Sequence, residues 1–401
     1  MTMMVVAREE PAIYKVLHEQ ATPAVRSARV GKLREFVVSR REKVRPQDAL
    51  HLPYVGMEQV EAHTMRLLGT VEASSMKSSA NRFFPGDVLY GRLRPYLNKV
   101  YLATFEGICS PEFIVIPRTT GLDPRYLRYR LNAHDFVSFA RHLNAGDRPR
   151  VDFEQISEFT VALPPEDQQA QTVAYLDEQL SRLDASVAAL HRVRANLKRY
   201  TKSLIQSLTD AGASSTWCKV SVDDIAQSLD NMRIPVNKTE RALRGGSVPY
   251  LGANGQTGWI DKPLFNEELV LVVEDETFVG RTQPFCYYFA GKCWVNNHTH
   301  VLRAKPGLVT PQYLNFALSY YPFIPLTTGS TGRRKLTKKA LMAAPLSLPP
   351  LTEQHRIVAE ADRRLSLIRV AEAQVSANLA RAQRLRQSIL QAAFSLPVQT
   401  A

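Results

Sequence analysis

Cysteine and tryptophan are scarce in this 401-residue sequence, which has four copies of one and three of the other. The closest pair of cysteines, Cys286 and Cys293, is separated by six residues. Neither a disulfide framework nor the spacing of a zinc knuckle is therefore present. No apolar run is long enough to cross a bilayer, and the N-terminus turns acidic before a signal-peptide core could form. These absences predict a cytoplasmic protein with ordinary thiols.

Enzyme signatures are absent as well. The sequence has no phosphate-binding loop ending in Gly-Lys-Ser/Thr, no Gly-x-Gly-x-x-Gly, no Gly-x-Ser-x-Gly and no His-Glu-x-x-His. The Asn/Asp-Pro-Pro-aromatic tetrapeptide of amino methyltransferases is also missing. We therefore expect a chain without catalytic residues, without a resident metal and without a cofactor of its own.

Two short motifs leave a catalytic alternative open. His298 and His300, in "NNHTH" at 296–300, fall on one face of a predicted strand, where they could bind a metal. No cluster of carboxylates or cysteines accompanies them at a spacing suited to a metal, so the pattern favours a structural or DNA-contacting strand. "VVEDET" at 272–277 is acidic but lacks the lysine partners of a nuclease, which favours a turn after a strand. A stand-alone recombinase or nuclease with a coiled-coil arm is the enzyme alternative.

The charge balance is more informative. Lys and Arg number 51 against 38 Asp and Glu, which gives a net charge of +13 and a pI near 9.6. A strongly basic chain favours a polyanionic partner such as nucleic acid. An inert basic surface would give the same charge, so the organisation of the chain must decide.

One segment of the sequence occurs twice. "LPPEDQQAQTVAYLDEQLSRL" at 163–183 aligns without a gap on "LPPLTEQHRIVAEADRRLSLI" at 348–368. Gln169 then matches Gln354, and Leu180 matches Leu365. The proline pair fits the first turn of a helix, and the acidic residues after it suit the positive end of the helix dipole.

Each copy continues as a heptad-like apolar stripe. The stripe of the first copy comprises Val173, Leu176, Leu180, Leu183, Val187, Leu190, Leu197 and Leu204, and that of the second comprises Val358, Leu365, Ile368, Val375, Leu379 and Ile389. Spacing by three and four residues is typical of a coiled coil, in which each helix needs a partner. A homodimeric coiled coil or a core helix would also explain one such stripe. Two matched stripes in one chain favour an intramolecular antiparallel pair, with helices of about 45 residues and about 70 Å.

The segments outside the helices read as mixed α and β. Short β-branched or aromatic runs such as "DVLYGRL", "EFIVIP", "ELVLVVED", "FCYYFAGKCW" and "HTHVLRA" predict strands. Short helices are predicted at Pro124 to Asn132 and Pro311 to Tyr320. The predicted fold is α+β, a pseudo-twofold repeat with the following parts: a first globular domain at 1–162 with an N-terminal extension, a first helix at 163–210, a second domain at 211–347 and a second helix at 348–396.

Basic residues beside Gly or Pro in predicted turns are the candidate DNA contacts. Arginine on such a turn can bind guanine or a phosphate, and glycine lets the backbone approach closely. Polar residues of the "GANGQTG" loop and the "GSTGRRK" turn are added as candidate base or phosphate contacts. The full set is Arg92, Arg94, Arg148, Arg150, Asn254, Gln256, Thr257, Arg281, Ser330, Thr331, Arg333, Arg334 and Lys335.

These motifs together resemble one known family, the specificity subunits of type I restriction-modification systems. The resemblance covers nearly the whole chain. It is carried by "LPPLTEQHRIV" at 348–358, "VPYLGANGQTGWID" at 248–261 and "GSTGRRKLTKKALMAAPLSLPP" at 329–350. The first half departs more, because "LPPEDQQAQTV" has Gln168 where the family has glutamate.

The resemblance implies a DNA-binding function without catalysis. Each globular domain would be a target-recognition domain that reads half of a bipartite, asymmetric site in double-stranded DNA, with the helices fixing the spacer. Two methyltransferase subunits using S-adenosylmethionine would be partners, together with two restriction subunits driven by ATP and Mg. The alternatives are the specificity component of another restriction-modification class, and a scaffold that binds partner helices and not DNA.

Overall fold

The computed structural model describes residues 28–210, 216–275, 278–329 and 334–394. The chain divides into two compact units. The first unit contains the described residues of 1–189 and 378–401, and the second contains those of 190–377. Each unit therefore includes a part of each long helix. Most of the N-terminal extension considered above lies outside the described residues.

The first unit is built from short strands around three helices. Its strands are β1 (Arg29–Lys32), β2 (Lys43–Val44), β3 (Pro53–Val55), β4 (Val71–Glu72), β5 (Ala80–Phe83), β6 (Val88–Gly91), β7 (Val100–Leu102), β8 (Gly107–Cys109), β9 (Phe113–Ile116) and β10 (Thr160–Leu163). Its short helices are α1 (Pro124–Asn132), α2 (His134–His142) and α3 (Phe153–Ile156), and the long helix α4 (Glu166–Thr209) follows. The strands form sheets of order β2-β5-β8-β3-β4 and β7-β6-β9, and a ribbon β1-β10.

The second unit repeats this plan with one larger sheet. Its strands are β11 (Cys218–Ser221), β12 (Ala226–Ser228), β13 (Val248–Gly252), β14 (Gly255–Ile260), β15 (Phe265–Val273), β16 (Cys286–Val295), β17 (Thr299–Ala304), β18 (Thr327–Thr328), β19 (Lys335–Leu336) and β20 (Pro345–Leu348). Its helices are α5 (Val222–Ile225), α6 (Lys238–Leu243), α7 (Pro311–Ser319) and α8 (Lys338–Met342), followed by the long helix α9 (Leu351–Phe394). The main sheet has the order β12-β17-β15-β16-β13-β14, beside a ribbon β11-β20.

The internal repeat extends to the strand pairing. β3 runs parallel to β8, with Tyr54 opposite Ile108, and β13 runs parallel to β16, with Tyr250 opposite Trp294. In each of the ribbons β1-β10 and β11-β20, the second strand directly precedes a long helix in the sequence: β10 precedes α4, and β20 precedes α9. The predicted mixed α/β class and internal repeat are confirmed.

The two long helices pack against each other in opposite directions. In the first unit, Val173 and Leu176 of α4 share a core with Ile389 and Leu390 of α9. In the second unit, the end of α4 near Ile205 packs instead against the beginning of α9. The start of each helix thus meets the end of the other, which confirms the intramolecular antiparallel coiled coil. All the apolar stripe residues named above are buried or partly buried. No helix in the described parts of the chain is long and apolar enough to span a membrane.

The proline pairs lie just before the long helices, and the predicted first-turn position was therefore wrong. The amide of Gln169 donates to the carbonyl of Pro165 at 3.0 Å, which is the first helical hydrogen bond. Pro165 thus contributes only its carbonyl oxygen to the helix, and Glu166 is the first helical residue. Its negative charge lies at the positive end of the helix dipole, which stabilises it. The predicted start at residue 163 falls in β10.

A buried glutamine attaches each long helix to its globular domain. The side-chain oxygen of Gln169 accepts from the amide of Asp123 at 2.8 Å. Its side-chain nitrogen donates to the carbonyls of Gly121 at 3.0 Å and Pro164 at 2.8 Å. Gln354 makes the same three bonds at the start of α9. The sequence match of these two glutamines therefore reflects an identical role in both units.

Candidate nucleic-acid interface

Two basic segments of the first unit lie side by side. We call residues 92–99, after β6, the first strand loop, and residues 146–152, before α3, the first basic turn. The amide of Val151 donates to the carbonyl of Arg92 at 3.1 Å, and the amide of Arg94 donates to the carbonyl of Pro149 at 2.8 Å. The structure thus brings together the candidates Arg92, Arg94, Arg148 and Arg150, which lie in two separate segments of the sequence.

The four arginines differ in their partners. Arg150 forms an ion pair with both carboxylate oxygens of Glu112, with its Nη2 at 2.9 Å from Oε1. This hydrogen-bonded carboxylate raises the pKa of Arg150. Arg92 donates from Nε to the carbonyl of Val151 at 3.1 Å, so it also holds the turn in place. Arg148 is exposed.

Arg94 is the most unusual of the four. Its backbone is left-handed, with φ of 52°, a conformation that costs a residue with a side chain about 1 kcal/mol. Within the described residues, its Nε is buried and has no hydrogen-bond partner. Strained residues with an unsatisfied donor are typical of functional positions. Arg94 is therefore the strongest candidate for direct DNA contact in this unit.

The second unit forms the same arrangement. Its strand loop follows β15, at residues 274–285 without 276–277, and its basic turn precedes α8, at residues 329–337 without 330–333. The amide of Leu336 donates to the carbonyl of Glu274 at 2.8 Å, as Val151 does to Arg92. Leu336 and Val151 are both fully buried. The two basic turns are therefore structural equivalents.

The structure describes residues 329 and 334–337 of the second basic turn. The candidates Ser330, Thr331 and Arg333 lie outside the described residues. Arg334 is partly exposed and donates from Nη1 to the carbonyl of Ile324 at 3.4 Å. Lys335 is exposed and forms an ion pair with Glu274, with Nζ 3.0 Å from Oε1. Arg334 is therefore the described cation of this turn that is least committed to other side chains.

The candidates of the "GANGQTG" loop lie at the tip of the β13–β14 hairpin. Arg281, from the strand loop, donates from Nη2 to Oδ1 of Asn254 at 2.8 Å, which joins the loop to the hairpin. Gln256 donates to the carbonyl of Gly258 at 3.2 Å. Thr257 donates to the carbonyl of Tyr250 at 3.4 Å. Arg281 and Asn254 thus lie together, while Gln256 and Thr257 are exposed but turn toward their own hairpin.

Sequence reasoning missed an exposed tryptophan beside this loop. Trp259 lies on β14, the edge strand of the sheet, and is 54% exposed. A tryptophan presents a large flat surface that can stack on a base or a sugar. The alternation of β14 offered a signal, because Trp259 and the candidate Thr257 are two positions apart and both exposed.

A buried charge network supports the second basic turn, and it was also missed. Glu274 is paired with Arg233 at 2.6 Å in addition to Lys335. Asp230 is paired with His300 at 2.6 Å and accepts from the amide of Val301 at 2.9 Å. Asp230 is 70 residues away from His300 in sequence, and no spacing rule connects them. The sequence predicted only a turn at "VVEDET" and did not predict that Glu274 is buried and paired with Arg233 and Lys335.

The pKa values of this network predict acid sensitivity. Burial acts to raise the pKa of Glu274, but hydrogen bonds from Arg233 and Lys335 outweigh it and lower the pKa below its usual value. A carboxyl whose pKa is lowered on folding stabilises the protein at neutral pH, and this contribution is lost as the pH falls through the folded pKa. We expect Glu274→Gln to lower the free energy of unfolding by about 2 kcal/mol at neutral pH. The difference from wild type should shrink below about pH 4.

Urea denaturation across this pH range measures the effect. Glu268→Gln is the matched control, because Glu268 lies on β15, the strand directly before Glu274, but is exposed. The control should stay within about 0.5 kcal/mol of wild type throughout. A Glu274→Gln deficit that is the same in neutral and acidic solution would contradict the assignment.

The two histidines of "NNHTH" have separate carboxylate partners. His298 is exposed and lies 2.8 Å from Asp275, whereas His300 is buried against Asp230. Within the described ranges, no group of three histidine, cysteine or acidic residues is placed to hold a metal ion. The arrangement of His300 is structural and does not resemble a metal site.

Sequence comparisons relate the second half of the chain to a known domain. Residues 214–365 match the family described as the type I restriction modification DNA specificity domain. A type I restriction enzyme specificity subunit of Haemophilus influenzae is 35% identical over 138 residues, which is 34% of this chain and 34% of that protein. The EcoDI specificity subunit of Escherichia coli is 25% identical over 207 residues, which is 50% of this chain and 46% of that protein. The matches thus span a third to just under half of these relatives.

Two further likenesses cover more of the chain at lower identity. The type I restriction enzyme MjaX specificity subunit of Methanocaldococcus jannaschii is 22% identical over 327 residues, covering 72% of this chain and 74% of that protein. A solved structure concerned with complex assembly and conformational transition of the type I R-M system contains a chain with the same fold. Its TM-score is 0.71 at 20% identity, with 92% of this chain and 98% of that chain covered.

Proposed function

We propose that this chain, which belongs to the family of type I restriction-modification specificity subunits, selects the DNA site of a type I restriction-modification enzyme. Each unit reads one half of a bipartite, asymmetric site with its strand loop and basic turn. Because the two units carry different side chains on the same backbone plan, the two halves have different sequences. The helices α4 and α9 set the number of unspecified base pairs between them.

One observation carries this proposal. The same backbone bond joins a strand loop to a basic turn in each unit, through Val151 in the first and Leu336 in the second. The candidate cations of these segments are Arg92, Arg94, Arg148 and Arg150 in one unit and Arg281, Arg334 and Lys335 in the other. A rigid backbone with basic side chains at its surface suits contact with phosphates and base edges.

The partners follow from this role. The chain contributes no catalysis, and two methyltransferase subunits supply adenine methylation with S-adenosylmethionine as the methyl donor. Two restriction subunits, which use ATP and Mg, complete the enzyme in the cytoplasm. The net charge of +13 favours association with DNA, and binding should weaken steeply with salt as phosphate contacts are lost.

Mapping of methylated adenines tests the proposal. The chain is expressed with its methyltransferase subunits in a host that lacks adenine methylation, and the methylated positions are sequenced. We expect one motif with two specified parts and a spacer of constant length. A single continuous motif, or no methylation that depends on this chain, would exclude the proposed function.

A variant of Arg334 tests the role of the second basic turn. Arg334→Ala should weaken discrimination at one half-site by about threefold to tenfold and leave the other half-site unchanged. Binding is measured with duplexes in which either half of the mapped motif is scrambled. Arg141→Ala is a suitable control, because Arg141 is exposed on α2 and lies outside both sites. Equal losses at both half-sites would disprove the assignment of this turn.

A further inference from the structure

His300 is buried in the second unit with an acceptor at each ring nitrogen. Its side chain is 2% exposed. Nδ1 lies 2.6 Å from Oδ2 of Asp230, and Nε2 lies 2.8 Å from the carbonyl oxygen of Leu336. A carbonyl oxygen and an ionised carboxylate carry no proton, so each of them can accept a hydrogen bond but cannot donate one. The ring therefore satisfies both partners only when it donates from both nitrogens, as an imidazolium.

The surrounding charges suit this state. Burial acts to raise the pKa of Asp230, but hydrogen bonds from His300 and the amide of Val301, together with the charge of Arg233, outweigh it, so the pKa lies below its usual value and the carboxylate is ionised. Glu274 lies 3.8 Å from the ring as a second carboxylate. Arg233 is a further cation of this network and contacts both carboxylates. The two buried carboxylates are thus shared by the imidazolium, the guanidinium of Arg233 and the exposed ammonium of Lys335.

The same ring fixes the backbone of the second basic turn. His300 holds the carbonyl of Leu336, and the strand loop holds the amide of that residue through Glu274. The backbone amide and the backbone carbonyl of Leu336 are therefore both hydrogen-bonded to residues of β17 and of the strand loop. Arg334 and Lys335 directly precede it. A shift of Leu336 would move these cations together.

The first unit has no histidine at the position that corresponds to His300. In the second unit, the amide of Leu229 donates to the carbonyl of Val301. In the first unit, the amide of Arg40 donates to the carbonyl of Val115, so the two bonds correspond. This pairing aligns Val301 with Val115 and therefore His300 with Ile114. Ile114 is 7% exposed and apolar. The second basic turn is thus supported by a buried histidine, whereas the first unit has an apolar side chain at the matching position and pairs Arg150 of its turn with Glu112.

We propose that His300 is a positioning residue that clamps the second basic turn as an imidazolium, so that recognition of one half-site depends on it and recognition of the other does not. The proposal rests on the proposed function. It assigns His300 no contact with DNA, because the ring is enclosed by Asp230 and Leu336. The clamp acts through the placement of the cations that precede Leu336.

A histidine substitution with a matched control tests the clamp. His300→Gln keeps a donor for the Leu336 carbonyl but loses the charged bond to Asp230. Duplexes with either half of the mapped motif scrambled are bound by the chain in complex with its methyltransferase subunits. His300→Gln should reduce discrimination by about tenfold at the half-site that Arg334→Ala affects. His355→Gln, the same change at an exposed position of α9, should alter neither half-site.

A second variant and a spectroscopic measurement guard against simple misfolding. Asp230→Asn keeps the ring and offers an uncharged acceptor, so it should lose discrimination at the same half-site by a smaller factor than His300→Gln. In the nitrogen-15 spectrum of the wild-type protein, both ring nitrogens of His300 should carry protons. A neutral ring, or an Asp230→Asn variant that discriminates as well as wild type, would overturn the clamp.

The outcomes separate this inference from the proposed function. A wild-type complex that discriminates at neither half-site would overturn the proposed function and the clamp with it. A wild-type complex that discriminates, with equal losses at both half-sites or no loss in His300→Gln, would overturn the clamp alone.

Discussion

Replacing Gln354 with leucine should lower the free energy of unfolding by about 3 to 5 kcal/mol. Gln354 is fully buried at the start of α9. Its side chain accepts from the amide of Thr310 at 2.8 Å and donates to the carbonyls of Leu308 at 3.0 Å and Pro349 at 2.9 Å. Leucine has a similar volume but cannot form these bonds. One donor and two acceptors would then be buried without partners, and each adds its own desolvation penalty.

The repeat provides a second copy of the experiment. Gln169 is also fully buried and makes the same three bonds to the backbone of the first unit. Gln169→Leu should therefore destabilise the protein by an amount within about 1 kcal/mol of the Gln354→Leu value. Agreement between the two variants would show that the attachment of helix to globular domain has the same energetic basis in both halves.

Chemical denaturation monitored by circular dichroism measures both losses. Gln168→Leu serves as the control, because it makes the same chemical change at a partly exposed position next to Gln169. It should change the stability by no more than about 0.5 kcal/mol. If either buried glutamine can be replaced at that small cost, the bonds described here do not hold the helix to its domain.

These glutamines also show how far the sequence could predict the structure. The gap-free alignment paired Gln169 with Gln354, and the heptad spacing predicted two antiparallel helices that the structure confirms. The chemical reason for the match could not be read from the sequence, since Gln169 binds Asp123, 46 residues away. Local patterns report on helices and strands, whereas contacts between distant segments depend on tertiary packing.

The candidate DNA contacts illustrate the same limit. Composition and turn residues located the two basic turns, and the structure places each of them beside a strand loop. The sequence treated Arg94 and Arg150 alike, because both lie beside proline in a basic segment. Only the fold distinguishes them: Arg150 is paired with Glu112, 38 residues earlier, while Arg94 has a strained backbone.

Replacing Arg94 with glycine should stabilise the protein and weaken DNA recognition together. Glycine adopts the left-handed conformation of this position without steric strain, which should raise the free energy of unfolding by about 1 kcal/mol after the entropy of the unfolded glycine is considered. The substitution also removes a buried Nε that, among the described residues, has no partner. Discrimination at the half-site of the first unit should fall by about 10- to 100-fold, the range for one bidentate arginine contact.

Asn98→Gly provides the contrast, because Asn98 has a left-handed backbone in the same strand loop, with φ of 48°. Its buried side chain forms two hydrogen bonds with Asn132. Nδ2 of Asn98 donates to the backbone carbonyl of Asn132 at 3.1 Å, and Oδ1 of Asn98 accepts from the side-chain Nδ2 of Asn132 at 2.9 Å. Asn98→Gly should therefore lower the stability where Arg94→Gly raises it, although both relieve the same backbone strain. Thermal denaturation and half-site binding are measured on both variants. If Arg94→Gly is as unstable as Asn98→Gly, or discriminates like wild type, Arg94 is part of the fold and does not read DNA.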